Sequence, residues 1–237
     1  MSTETIPMPA DADLGVDADL AKALAGLQAK AASPAAIAEA QRRESSEKVA
    51  ELRRAMNAPR RATQFLRNSW KDGEDLSKPW NRTLKRAVQL LDAPGGQTVA
   101  FVGAEATGKT TLAVALMREA TSRRIRALYM TRPGFGSEMR DARGNSEEVK
   151  TIKELVSYPL LVIDHVDEHG DTPWESNQML DLINARHDAE YHTVLIASCA
   201  PEALVDAMGS IGVKVMSRIN ASGGVYHFGW PAFGGAK

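Results

Sequence analysis

From residue 97 onward, short apolar runs alternate with stretches whose apolar residues recur at helical spacing. Thr98 to Val102, Ala127 to Thr131, Leu160 to Val166, Thr193 to Ser198 and Val225 to Trp230 are strand-length and rich in apolar side chains. Lys109 to Ser122, Asn177 to Asp188, Pro201 to Met208 and Val213 to Asn220 read as helices. A continuous apolar run such as Leu160-Leu-Val-Ile suits a strand buried on both faces. Strands alternating with helices predict a parallel sheet covered by helices on both sides. No internal repeat interrupts the pattern.

The pattern differs upstream. Residues 1–18 carry four acids, two prolines and little apolar content, a composition that burial cannot order and that predicts a flexible leader. Residues 19–58 are expected to form a small helical appendage: Leu20, Leu24 and Leu27 fall at helical spacing, and Ser33-Pro34 caps a second helical run through Val49, Leu52 and Met56. Its apolar stripes are narrow, so either a partner protein or the main domain covers them. Residues 59–96 read as a basic linker entering the main domain, and 97–237 as that domain.

Composition narrows the class. With 237 residues, 43% hydrophobic and 25% charged, the chain suits one α/β domain with a smaller appendage. The lone Cys199 excludes an intramolecular disulfide framework and is expected in the interior. No apolar run approaches membrane-spanning length, and no signal-like segment opens the chain, so a cytoplasmic protein is expected. The net charge of -1 is uninformative, but residues 51–86 hold ten Lys or Arg against four acids, a local excess of +6. Phe65, Trp70 and Trp80 lie among those cations. Two readings stand: a single-stranded nucleic-acid surface combining stacking with phosphate neutralisation, or a solvated linker whose tryptophans anchor in the core.

Chemistry concentrates at two places. Gly103-Ala-Glu105-Ala106-Thr107-Gly108-Lys109-Thr110 matches G-x-x-x-x-G-K-[ST], following an apolar strand and opening a helix. In that setting backbone N–H groups and the positive helix end cradle phosphates, Lys109 reaches the β- and γ-phosphates, and the Thr110 hydroxyl meets Mg²⁺. Thr111 joins them as a nucleotide-binding candidate. The second place is Asp164, a carboxylate closing an apolar strand at the sheet edge where ligands bind, and a Mg²⁺ partner. ATP and Mg²⁺ are thus the expected cofactors, and the fold class is a P-loop NTPase with a parallel sheet flanked by helices. No His-Glu-x-x-His spacing supports a zinc site, and no G-x-S-x-G elbow supports a serine hydrolase.

Over residues 60–233 the chain resembles the helicase-loader and transposition-helper branch of the AAA+ ATPases, typified by DnaC and IstB. The likeness rests on the phosphate loop, on Leu160-Leu-Val-Ile-Asp-His-Val-Asp-Glu168, on Asn177-Gln-Met-Leu-Asp-Leu-Ile-Asn-Ala-Arg186, and on Val213-Lys-Val-Met-Ser-Arg218 followed by Val225-Tyr-His-Phe-Gly-Trp230. The resemblance implies ATP-dependent assembly on a hexameric replicative helicase or on DNA, with contact to single-stranded DNA. It implies that Arg218 acts as an arginine finger on a neighbouring subunit's nucleotide, so that the protein self-associates. It also implies DNA contacts near the end of the second strand, which makes Arg132, Arg140 and Arg143 candidates.

Three positions depart from the family. His165 stands where a Glu usually polarises the attacking water, with Asp167 and Glu168 close enough in sequence to substitute; Ser198 stands where a longer polar sensor is usual; and Gly234 stands in place of a late sensor arginine. Tight ATP binding with feeble hydrolysis follows, since binding rests on the loop and metal contacts while turnover needs a poised water. The functions to weigh are a replicative helicase loader, a transposition helper acting on DNA, and a nucleotide-gated binding module with little catalysis.

Overall fold

The structure is a computed structural model that describes Pro34 and residues 38–39, 56–60, 62–63, 77–144, 146–168 and 172–233. The leader, nearly all of the helical appendage, Phe65, Trp70, half of the ten cations of the basic segment, His169 and Gly234 lie outside the described residues. Contacts within the chain divide it into Met1–Val49 and Ala50–Lys237; the second unit holds the sheet and is described by itself.

Its elements run α1 (Pro79–Gln89), β1 (Thr98–Val102), α2 (Lys109–Ser122), β2 (Ala127–Thr131), α3 (Arg132–Gly144), α4 (Glu148–Val156), β3 (Leu160–Asp164), α5 (Pro173–Asp188), β4 (His192–Ala197), the single turn α6 (Leu204–Ala207), α7 (Gly212–Ser222) and β5 (Gly224–His227). The strands form one sheet in the order β2-β3-β4-β1-β5, and every pairing is parallel. Parallel pairing aligns all carboxyl ends along one edge. β1 sits between β4 and β5, and the connection leaving β1 runs toward β2 while that leaving β4 runs toward β5, so the two diverge and open a crevice at the carboxyl ends.

Side-chain alternation along each strand sorts the core into two layers. Val99 and Phe101 of β1, Leu160 and Val162 of β3, and Val194 and Ile196 of β4 meet α1 and α2. Ala100, Val102, Leu161, Ile163, Leu195 and Ala197 meet α3, α5 and α7 on the opposite face. Both faces are dry, which explains the unbroken apolar runs. Among the described residues no helix is long and apolar enough to cross a membrane.

Several boundaries differ from the sequence expectation. β3 ends at Asp164 because His165 adopts a left-handed φ of 59°, a conformation incompatible with extending a strand. β5 ends at His227, and the helix expected over Pro201 to Met208 breaks into a 3₁₀ turn and the short α6. Three helices have no counterpart in that expectation. α1 and α4 are short, and α3 runs through Pro133-Gly134, a dipeptide that usually marks a turn. The helix starts there because Pro is tolerated in a first turn and Thr131 Oγ1 accepts the Gly134 N–H at 3.1 Å, capping one orphan donor. Cys199 is half-buried, not interior.

One buried cation organises the amino-terminal edge of the sheet. Arg186 on α5 is fully buried. Its guanidinium donates to the carbonyls of Leu155, Val156, Tyr158 and His192 and to Thr193 Oγ1. It thus satisfies the last carbonyls of α4 and the entry to β4 together. Burial pushes its pKa down to about 9, which still leaves the guanidinium charged at neutral pH, and a planar five-donor fork suits this set of oxygens where a lysine does not. Arg186→Met should therefore cost on the order of 3 kcal/mol or more, since it leaves several buried carbonyls without donors. Thermal denaturation should show a Tm lower by about 6 °C or more, with Arg186→Lys rescuing only part; an unchanged Tm would refute the assignment.

Candidate nucleotide-binding site

The crevice at the carboxyl end of β1 holds the phosphate-loop residues. Gly103 leaves β1 at φ 146°, and a Cβ there would lie 2.6 Å from the Phe228 carbonyl oxygen, so the close approach of the segment after β5 requires glycine. Gly108 takes φ 87° as the N-cap of α2, and a Cβ on it would meet Phe233 and Trp80 at 2.8 and 2.9 Å. The loop is tied from within: Thr107 Oγ1 donates to Ala104 O at 2.8 Å, and Lys109 Nζ donates to Gly103 O and Ala104 O at 2.8 and 2.7 Å. Burial depresses the Lys109 pKa, while Asp164, Asp167 and Glu105 act to raise it.

Asp164 is 3% exposed. Its Oδ2 accepts from Thr110 Oγ1 at 2.7 Å and from the Tyr129 hydroxyl at 2.8 Å, while Oδ1 accepts the His165 N–H at 2.8 Å. The Tyr129 pKa is driven up, first by burial and then by the neighbouring carboxylate, so the phenol stays a donor. Thr110 and Asp164 present a hydroxyl and a carboxylate side by side, the hard oxygen donors that Mg²⁺ prefers. Their adjacency fits the metal that this loop implies.

These residues line a cleft of 470 Å³ together with Glu105, His165, Asp167, Glu168 and Ser198. His165 Nδ1 lies 2.8 Å from Glu168 Oε1, both side chains about half exposed. Asp167 Oδ2 accepts the Ser198 N–H at 2.8 Å, joining the loop after β3 to the end of β4. Arg218 does not line this cleft. It is half-buried on α7, with Nε donating to Asn184 Oδ1 at 3.0 Å.

A second cavity of 620 Å³ adjoins the first, sharing Ala106, Gly108 and Thr111, and is walled by Trp80, Trp230, Pro231 and Phe233 with Asn81 and Lys78 at its edge. Its walls grip the outer side of the loop: Trp80 Nε1 donates to Gly108 O, Trp230 Nε1 to Thr107 O, and the Phe233 N–H to Ala106 O, at 3.2, 3.0 and 2.8 Å. Three consecutive carbonyls are therefore held outward. Trp80, read from sequence as either a nucleic-acid platform or a core anchor, is a wall of this pocket.

The arginine candidates separate. Arg132 is 4% exposed and donates to the Val166 carbonyl, so the structure places it inside the fold and not on a surface open to phosphates. Arg140 pairs with Glu175, and Arg143 lies over the Trp174 ring with its guanidinium carbon 4.8 Å from the centroid; both are exposed on α3. Tyr129, Trp230 and Phe233 were not foreseen as site residues. A hydroxyl on an adjacent strand reaches Asp164 only through the β2–β3 register, and the aromatic tail reaches the loop only because β5 lies beside β1.

The sequence profile of the IstB-like ATP binding protein family matches residues 19–203, most of the chain. No curated protein matches the chain by sequence. The structure is similar to that of the DnaC helicase loader, at 21% identity and a TM-score of 0.54, covering 62% of this chain and 88% of that one. It is similar to DnaI at 17% identity and 0.59, covering 73% and 95%, and to the replication initiator DnaA bound to AMPPCP and single-stranded DNA at 18% and 0.53, covering 62% and 44%. The chain spans 44% of the length of two of the DnaA chains it matches, and these likenesses describe the fold: a parallel sheet flanked by helices of the P-loop NTPase kind. By its sequence profile the chain belongs to the IstB-like ATP binding protein family.

Proposed function

We propose that this chain is an ATP-dependent loader of a DnaB-type replicative helicase, acting in the cytoplasm on single-stranded DNA, with ATP binding and self-association controlling loading and hydrolysis kept weak. The observation that carries the reading is the cleft in which the phosphate loop, Thr110 and Asp164 converge; His165, which also lines it, follows Asp164 where the family it resembles usually carries a water-polarising carboxylate. The likeness to DnaC and DnaI, and to a DnaA captured with single-stranded DNA, favours a replication role. A transposition helper is the second reading, favoured by the family match itself.

The chemistry follows from named groups. Loop amides and the start of α2 receive the phosphates, because the loop carbonyls are engaged elsewhere. Lys109 exchanges its carbonyl partners for phosphate oxygens, and Thr110 with Asp164 would hold Mg²⁺, which when bound would supply positive charge to the phosphoryl oxygens. The base stacks in the aromatic pocket beside the loop. Glu168, by accepting from His165 Nδ1, leaves Nε2 to accept a proton from water. Ser198 supplies a short hydroxyl at the end of β4, and Arg218 acts on the nucleotide of a neighbouring copy.

Calorimetry in the presence of Mg²⁺ should show ATP affinity reduced about ten- to a hundredfold in Lys109→Ala, the loss expected for charge-assisted hydrogen bonds; binding undiminished by that change would refute the site. Phe233→Ala removes a ring that is 59% exposed, so folding should tolerate it. ATP and ADP affinities should then fall by the same factor, on the order of tenfold, because stacking involves the base alone. If only ATP weakened, the pocket would not hold the base. Steady-state phosphate release should be slow in the wild type and slower still in His165→Ala, with nucleotide affinity preserved. Brisk turnover indifferent to that substitution would remove His165 from catalysis.

A further inference from the structure

We propose that Tyr129 is a positioning residue for the divalent cation: its hydroxyl helps restrict Asp164 to one open acceptor site and so favours Mg²⁺ over the larger Ca²⁺. The inference rests on the nucleotide and metal reading above. An ionised carboxylate offers about four acceptor sites, two on each oxygen. On Asp164, Thr110 Oγ1 and the Tyr129 hydroxyl take the two on Oδ2, and the His165 N–H takes one on Oδ1. These three donors leave one site, on Oδ1.

Placement makes Tyr129 the donor that does not depend on what fills the cleft. Thr110 and His165 both line the cleft, and Thr110 is itself a candidate metal ligand. Tyr129 is 6% exposed and belongs to the apolar layer beneath α2. The strand register pairs Tyr129 with Val162 and Thr131 with Asp164, so the phenol reaches Asp164 diagonally along a shared face of the sheet. Thr131, directly across from Asp164, has its hydroxyl at the Gly134 N–H, and the longer side chain supplies the donor. A hydroxyl in an apolar layer is costly unless paired. Here the pairing anchors a carboxylate to a central part of the sheet, the kind of rigid support that a precise ligand geometry needs.

The preference for one cation follows from counting acceptors. Thr110 has one hydroxyl proton, and donating it to Oδ2 leaves the two lone pairs of its oxygen for a cation. Tyr129, by filling the other site on Oδ2, denies Asp164 the bidentate grip in which both carboxylate oxygens meet one ion. Ca²⁺ accepts that grip and takes about six to eight oxygens in a flexible shell at about 2.3–2.6 Å, whereas Mg²⁺ demands a near-octahedral shell at about 2.0–2.1 Å and retains several waters. A carboxylate pinned from three segments cannot turn to suit the larger ion. Removing the Tyr129 hydroxyl frees a site on Oδ2 and releases the terminal torsion of Asp164, which is intrinsically broad.

The test is calorimetry of ATP binding to the full chain and to Tyr129→Phe, in EDTA, in Mg²⁺ and in Ca²⁺. The aromatic ring stays, so the apolar layer keeps its packing. Affinity in EDTA rests on the loop and Lys109 and should match the wild type, which reports an intact fold. In Mg²⁺ the variant's affinity should fall about tenfold, the lower end of the loss usual when a partner behind a metal ligand is removed. In Ca²⁺ it should fall less, so that the ratio of the Mg²⁺ to the Ca²⁺ affinity shrinks. An equal loss in EDTA and in both cations would make Tyr129 a structural residue and overturn the proposal, as would a Mg²⁺-to-Ca²⁺ ratio equal to that of the wild type. Wild-type affinity indifferent to Mg²⁺ would instead overturn the metal reading on which the inference rests.

Discussion

The carboxylate of Asp164 is the point on which the site's construction depends. A buried, charged carboxylate is costly unless donors surround it, and Asp164 has three, from the start of α2, from β2 and from the turn after β3. Each donor comes from a different segment, so satisfying one charge fixes the relative positions of three elements. Thr110 is thereby presented at the mouth of the crevice, and the chain turns sharply at His165 instead of continuing as a strand. The same group that stabilises the junction is the one available to a metal.

The phosphate loop is held by a complementary arrangement. Its inner carbonyls at Gly103 and Ala104 take the Lys109 ammonium, and its outer carbonyls at Ala106, Thr107 and Gly108 take donors from the two tryptophans and from the backbone of Phe233. With its acceptors engaged, the loop has amides left to offer an anion. Preorganisation of this kind lowers the ordering cost of binding. It also places an aromatic pocket directly beside the cleft at the phosphate loop, so that two contiguous surfaces are built from the two ends of the domain.

In the proposed function, binding and turnover rest on different groups. The loop, Thr110 and Asp164 line one cleft with a half-exposed histidine braced by Glu168 and with Ser198; in the proposed function the first set holds the nucleotide and the second faces the reacting phosphate. Arg218 stands on α7 away from its own chain's cleft.

Much of this architecture was legible in the chain. β1, β2 and α2 fall where apolar runs and helical spacing put them, and the phosphate loop with Asp164 is recognisable because its chemistry requires particular residue types at local spacing. What was not legible depends on neighbours distant in sequence. Arg132 looked like a surface cation until the loop after β3 supplied a carbonyl to it. Arg186 carried no sign that five oxygens would surround its guanidinium. Tyr129 reaches Asp164 only through strand register, and Trp230 with Phe233 reaches the loop only because β5 pairs with β1. Local sequence determines backbone preference and the identity of the chemical groups, because those are properties of a few adjacent residues. The satisfaction of buried polar atoms is decided by the tertiary structure, because a donor and its acceptor need share nothing but a position in space.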